Sequence, residues 1–546
     1  MPKLIKIVAS LTGATLAFVT AARIVTSATG TDVITYHNDN ARTGQNLSET
    51  ILTPASVNSS TFGNRGFFPL DGKVDAQPLY LSALAMPAQG THSVLYAVTE
   101  HGSVYALDAV TGNVLWRAST LGAGETTSDT RGCSQVTPEI GITSTPVIDR
   151  SRGPNGTIYV VAMSKAGSTY FQRLHALDLA TGAELFGGPK TIQASYPGNG
   201  AGSSGGSVMF DPKQYEERAA LTMLNGRIIM AWTSHCDIDP YTGWIMAYDA
   251  NTLAQSSVLN ITPNGSRGGF WMAGAGPAVD PQGNLYLLDG NGTFDTTLTG
   301  AGFPSQGNFG NAFLKIATSG GLAVADYFAT FDTVAATNAD RDLGSGGTLV
   351  LPDLADAAGQ TRHLAVGAGK DGHIYVVDRD AMGKWNASSN QSYQDISGAL
   401  GGSVFSMPAY FNNTVYYGAA GGTLKAFAIT NARLASSAGS ATARSFAYPG
   451  TTPGISASGN ANGIVWAVEN SNPAVLHAYD ARDLTRELYN SSQAAAGRDQ
   501  FGAGNKFITP TIVNGQVFVG TTSGVAVFGL LTTAPPPAPT GLRIVP

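Results

Sequence analysis

A short run of residues recurs along the chain, and this recurrence limits the fold more than any other feature. Its clearest copy is SVLYAVTEHGSVYALDAVTGNVLWRAS, residues 93–119. Val94, Tyr96 and Val98 alternate ahead of a turn at His101-Gly102, and Val104, Ala106 and Asp108 resume the same period of two, the spacing of side chains on one face of a strand. Asp108, Thr111 and Gly112 make a second turn, because a short polar side chain bonds nearby backbone and glycine accepts positive φ. Val114, Leu115 and Trp116 open a third strand.

Related clusters follow: TIYVVAMSK with RLHALDLATGAELF, RIIMAWTSHCD with WIMAYDANTLA, NLYLLDGNG with NAFLKIATSGG, and HLAVGAGKDGHIYVVDRDAMG. Then come SMPAYFNNTVYYGAAGGTLKAFAI, GIVWAVENS with VLHAYDARDLTREL, and ITPTIVNGQVFVGTTSGVAVFGL. About eight such clusters, spaced by roughly 45 to 75 residues, mark a repeat protein with a unit longer than a WD40 repeat. Five open on proline, at Gln77-Pro78, Thr145-Pro146, Gly276-Pro277, Met407-Pro408 and Thr509-Pro510; proline is tolerated at the first residue of a strand, where no ladder hydrogen bond is lost. The expected fold is all-β: four-stranded antiparallel blades packed radially as an eight-bladed β-propeller. The last cluster has only about three strands, so an N-terminal strand near Val33–Tyr36 is expected to supply the fourth and close the ring, removing two open edges.

Composition agrees. Of 546 residues 67 are glycine and only 12% are charged, a balance of many turns and few amphipathic helices. The net charge is −6 without a Lys/Arg stripe, which argues against nucleic acid or an anionic membrane as partner. Lys3 and Lys6 precede a modest apolar run from Ile7 to Ala22, with small residues offering cleavage after Ala22 or Ala28. This pattern reads as a signal peptide over residues 1–28 and a secreted chain, periplasmic or extracellular, without a membrane span in its mature part. Residues 31–531 would form the propeller. Residues 532–546 carry a proline cluster read as a linker, with APTGLRI similar to the first strand of a fibronectin type III domain. Export permits a disulfide, and the even pair Cys133 and Cys236 is read as one structural bridge between loops of neighbouring blades.

The run Ala106-Leu-Asp108-Ala-Val-Thr111-Gly112-Asn-Val-Leu-Trp116, repeated at Ala176-Leu-Asp178-Leu-Ala-Thr181-Gly182, resembles the tryptophan-docking motif of the PQQ-dependent alcohol and methanol dehydrogenases. In that family the indole packs between neighbouring blades, a large apolar contact. The resemblance extends over nearly all of the mature chain, and it implies a set of site residues. Asp75 falls where the family has an acidic residue near the cofactor, and Trp271 resembles its tryptophan floor. Asp237, with Asp239 close behind, and Asn291 stand for the calcium ligands. Asp340 and Asp342 fall at the catalytic aspartate, and Lys370 at the basic residue that touches the quinone. Calcium, a hard cation, would take oxygen ligands there and polarise a quinone carbonyl, while Asp342 takes the proton of an alcohol, sugar or polyol hydroxyl.

Two departures stand out. The family's ring of two adjacent cysteines is absent, since Cys133 is followed by Ser134, and the basic residue expected after it is replaced by Glu139-Ile140-Gly141. No CxxCH occurs, so no haem c is carried and electrons would leave to an external acceptor. Each candidate also has a structural role open to it: Asp342 an Asx turn, Asn291 a turn residue, Asp237 a solvated carboxylate, Trp271 blade packing, Lys370 a hairpin position and Asp75 a strand entry. Two functions therefore remain open. One is a PQQ- and calcium-dependent oxidoreductase; the other is a non-catalytic propeller that binds a protein or glycan in the envelope or outside the cell.

Overall fold

A computed structural model describes residues 31–531; the expected signal peptide and the 532–546 tail lie outside the described residues. The architecture is nearly all β, with one short α-helix, Thr333–Asn338, among the described residues. Eight sheets carry four or more strands each. In chain order their main bodies span 79–119, 147–191, 222–260, 278–328, 348–396, 409–445, 454–490 and 511–530. Neighbouring strands in the main bodies pair antiparallel. The five X-Pro pairs named above stand immediately before the first strands Leu79–Met86, Val147–Asp149, Ala278–Val279, Ala409–Phe411 and Thr511–Val513.

The eighth sheet takes its fourth strand from the N-terminal part of the chain, but not from Val33–Tyr36. That strand is Phe62–Pro69, paired with Gly524–Leu530. Its alternating exposure, with Arg65 and Phe67 outward, suits a half-covered outer edge. Val33 instead bridges Tyr80 of the first sheet.

The segment 33–46 gathers the sheets. Val33 exchanges hydrogen bonds with Tyr80 of the first sheet, and Ile34 O accepts from Ile148 of the second. Asn40 Nδ2 donates to Met223 O of the third sheet (3.0 Å), and Asn40 O accepts from Val279 of the fourth. Ala41, Thr43 and Gly44 carbonyls accept from Val350, Tyr410 and Ile455 of the fifth, sixth and seventh. Asn46 Nδ2 donates to Ile512 O of the eighth (3.0 Å). Fourteen residues are thus bonded to the first strands of all eight sheets, which fixes those strands around one short segment. Arg42 is fully buried there; it donates to Thr35 Oγ1, Tyr36 O and Pro277 O, and burial pulls its pKa down to about 10.

Sheet-to-sheet contacts repeat as well. Asp108, Asp178 and Asp249 each accept from the backbone N–H groups two and three residues on and from the hydroxyl of the threonine three residues on, so the turn of the repeat is an Asx turn. The carbonyl just after that aspartate accepts from the preceding sheet. Leu179 O takes Tyr96 Oη (2.7 Å) and Trp116 Nε1 (2.9 Å), and Ala250 O takes Tyr159 Oη (2.7 Å). Ala481 O takes Tyr416 Oη (2.7 Å), and Ala109 of the first sheet takes Gln516 of the eighth (3.1 Å). The Trp116 indole also lies on Gly182, as the docking motif implies: a Cβ there would stand 2.6 Å from the ring. Val513, Phe518 and Val525 of the eighth sheet share one apolar cluster with Leu79 and Leu95 of the first.

Candidate functional site

Loops at the ends of the sheets line an open cavity of about 410 Å³. Asp237 enters it just beyond the strand Arg227–Ser234. Cys236 and Asp237 both lie at positive φ, 50° and 54°, a bend that costs non-glycine residues about 1–3 kcal/mol each and turns the Asp237 side chain in. Trp271 lines the cavity from the start of the short 3-10 turn Met272–Gly274. Asp340 and Asp342 stand between the helix Thr333–Asn338 and the turn Leu343–Ser345, and Lys370 follows the strand Leu364–Gly367. Asn291 is buried just beyond the strand Leu285–Leu288 and reaches this group with its amide.

These side chains form one cluster. Lys370 Nζ sits 2.7 Å from Asp342 Oδ1 and 2.5 Å from Asp340 Oδ1, and Asn291 Nδ2 donates to the same Asp340 oxygen at 2.6 Å. Gly290 gives the close approach: a Cβ there would stand 3.3 Å from Asp342 Oδ2 and 3.4 Å from Trp271 Cδ1. Burial pushes the Asp342 carboxyl above its usual range against the pull of Lys370, with Asp340 and Asp237 adding repulsion. Lys370 is half-buried, yet Asp342 and Asp340 outweigh that burial and hold its pKa above the ordinary lysine value. Asp289, fully buried, is pushed well above the carboxylate range by burial, opposed by the bond from Ala312 N–H. Asp237 Oδ1 accepts from Tyr241 Oη at 2.6 Å.

The expected residues do not all share this place. Asp239 is exposed and pairs with Arg267 at 2.6 Å, away from the cavity lining. Asp75 is buried 2.9 Å from Lys73 and lines a small crevice beside Arg218 and Phe507, not the main cavity. Cys133 and Cys236 are bonded, 103 residues apart with Cα atoms at 5.4 Å, and Cys236 is part of the cavity wall. The bridge ties the 120–139 insertion over the cavity. Its tip reaches the far side, where Lys506 Nζ meets Ser134 O (3.3 Å) and Gln135 Oε1 (3.2 Å), and Tyr448 Oη meets Gln135 Oε1 (3.3 Å).

Several lining residues carried no signal in the sequence. Phe405, Tyr448 and Phe507 form an aromatic wall, with ring centroids 5.2 and 6.3 Å apart along the series. Arg218, on the connection into the third sheet, lines the cavity with its guanidinium 4.3 Å above the Phe507 ring.

The donors suit a hard cation in part. Asn291 Oδ1 is buried without a hydrogen-bond partner, a state a buried amide oxygen rarely keeps, and carboxylates lie beside it. Among the described residues no three His, Cys, Asp or Glu side chains are set as a complete metal cage, so a cation here would draw further oxygens from its ligand or from water.

The model of the outer membrane protein assembly factor BamB family matches residues 70–203. A search of curated proteins finds no match. Among solved structures, a quinohemoprotein alcohol dehydrogenase of Pseudomonas putida superposes with a TM-score of 0.59 at 14% identity, over 94% of this chain and 82% of that one. The quinohemoprotein alcohol dehydrogenase of Comamonas testosteroni gives 0.56 at 15% identity, over 92% and 80%. A europium-containing methanol dehydrogenase gives 0.55 at 12% identity, over 92% and 99%. At such identities the likeness is one of fold. With the repeat and the sheets gathered on one segment, it fits the fold of a divergent quinoprotein-like β-propeller.

Proposed function

We propose that the eight sheets are the blades of a closed ring, and that its cavity binds pyrroloquinoline quinone with calcium to oxidise the hydroxyl of an alcohol, sugar or polyol. The contacts of Gln516 with Ala109 and of Phe62–Pro69 with the last strand support closure. The observation that carries the functional reading is the unpartnered Asn291 oxygen beside the Asp340–Lys370–Asp342 group, in a cavity whose wall includes Asp237.

Asp237 and Asn291 would hold the cation, and Trp271 would carry the face of the quinone. The quinone, when bound, supplies the two-electron acceptor chemistry. The chain supplies the proton chemistry. Asp342, buried with a raised pKa, is a stronger base than a solvated aspartate and accepts the substrate hydroxyl proton. Lys370, bridging Asp342 and Asp340, fixes the orientation of Asp342 and can donate toward an oxygen that gains charge. The Cys133–Cys236 bridge holds the roof and limits water entry. With no CxxCH on the chain, a separate acceptor would remove the electrons. We read residues 1–28 as an export signal, 31–531 as the propeller and 532–546 as a tail, in a secreted protein. Among the described residues no helix is long and apolar enough to cross a membrane.

A second reading rests on the family-model match at 70–203: a propeller without catalysis that binds an envelope protein or glycan. Reconstitution separates the two. The purified chain is loaded with PQQ and calcium and assayed for dye-linked oxidation of alcohols, sugars and polyols. Turnover in the wild type that is lost in Asp342→Asn, with the urea midpoint retained, supports the oxidoreductase. No turnover on any substrate, with an envelope protein or glycan recovered on the immobilised chain, supports the scaffold.

A further inference from the structure

The cavity is bipolar. At one end stand Asp237, Asp340 and Asp342 with Lys370. At the other, beside the aromatic wall, stands Arg218, its side chain 3% exposed. Nη1 donates to Glu216 Oε1 at 3.2 Å, and among the described residues no other hydrogen bond engages the guanidinium. Nε and Nη2 are not fully sealed, and Arg218 lines both the main cavity and the crevice beside Asp75. Stacking on Phe507 at 4.3 Å fixes the plane of the fork. A planar guanidinium with free parallel donors matches a carboxylate, which it takes in a bidentate pair.

The surroundings add positive charge at that end. Lys506 reaches the same wall through Gln135 and Tyr448. Burial and the nearby Lys73 and Arg218 hold its pKa below the ordinary lysine value, against the pull of Asp75. Glu100 and Glu217, the other buried acids nearby, are pushed well above the carboxylate range by burial.

We infer that Arg218 is the anion anchor of this cavity, a subsite that takes a carboxylate of a planar ligand whose other end meets the cation-binding group at Asn291. This rests on the quinone reading for the identity of the ligand, and it supplies from a different strand connection the positive charge that is missing where the chain reads Glu139-Ile140-Gly141.

The test is direct binding by calorimetry and fluorescence to the full chain in calcium buffer. One probe is PQQ and the other is benzene-1,3-dicarboxylate, with calcium affinity measured separately. Arg218→Gln should weaken PQQ by about ten- to a hundredfold, the worth of a charge-assisted bidentate pair, and Arg218→Lys by less, while calcium affinity is unchanged. Because Arg218→Gln leaves Glu216 buried without its partner, the double variant Glu216→Gln/Arg218→Gln replaces it if the single one fails to fold. If both bind PQQ as the wild type does, the anchor is refuted and the quinone reading stands. If the wild type ignores PQQ but binds the dicarboxylate, and Arg218→Gln loses it, the anchor stands and the quinone reading falls. Failure of the wild type to bind either probe overturns both.

Discussion

Replacing Gly182 with alanine tests the tryptophan dock between the first two sheets in a way that can be worked from the structure. Gly182 has φ of +70°, and an added Cβ would stand 2.6 Å from Trp116 Cε3 and 2.9 Å from Cδ2. The left-handed backbone costs an L-residue about 1–2 kcal/mol, and overpacking against a fixed ring about 1–3 kcal/mol. Gly182→Ala should therefore lose about 2–5 kcal/mol in urea denaturation. Gly202 is the control: its φ is +75° and no atom lies within 4 Å of its Cβ position, so Gly202→Ala should cost only the backbone share, about 1–2 kcal/mol. Trp116→Ala should lose about 3–5 kcal/mol. In that background Gly182→Ala should fall back to the cost of the control, because the ring it would strike is gone. Equal costs for Gly182→Ala and Gly202→Ala, or full additivity with Trp116→Ala, would refute the dock as the source of the effect.

The remaining predictions concern charge and covalent restraint. His477 lies buried between Glu469 (2.8 Å) and Glu487 (2.7 Å), and although burial opposes it the two carboxylates push its pKa above 6.5. Its stabilisation is complete below pH 6.5 and is lost as pH rises through the raised folded value, so urea midpoints should fall on that alkaline limb and His477→Gln should flatten it. Glu469, held down to about 2 by His477 and Arg444 against burial, should contribute above pH 4.5 and lose that contribution as pH falls toward 2. The double variant Cys133→Ser/Cys236→Ser opens a loop of 103 residues and should lose about 4–5 kcal/mol in the chain-entropy account. It should also bind ligand more weakly, because Cys236 precedes Asp237 and the roof is released; unchanged affinity would remove the roof from the account.

What the sequence made legible was local chemistry. The Asp-x-x-Thr-Gly turns, the prolines ahead of first strands and the alternating runs need only near neighbours, and the structure has each of them. The fourth strand of the eighth sheet differs from the expected one for the same reason. FGNRGFFP, with two glycines and a proline, lacks strand composition and pairs because its partner Gly524–Leu530 presents an open edge, whereas VITY has the composition but only one bridge, to Tyr80. No local signal marks the belt at 33–46, because its bonds go to eight distant sheets. Asp237, Asn291, Asp340, Asp342 and Lys370, expected from the family's order of segments, lie together at one cavity. Arg218 has no motif around it in GluGluArgAlaAla; only the folding of the third-sheet connection against Phe507 gives it a cavity to face. Asp75, expected near the cofactor, is buried 2.9 Å from Lys73 and lines the crevice beside Arg218 instead of the main cavity.

If one cavity joins a cation-binding oxygen cluster to a carboxylate-binding arginine, the stability of the purified chain with PQQ and calcium, singly and together, will report it. Ligand at a hundred times its dissociation constant should raise the unfolding free energy by about 2.7 kcal/mol. PQQ and calcium together should exceed the sum of either alone, a chelator should remove the excess, and Asn291→Ala should abolish it while leaving the unliganded midpoint near the wild-type value. No shift at a large excess of both ligands, or a shift that survives chelation and Asn291→Ala unchanged, would rule out a joint site for the two.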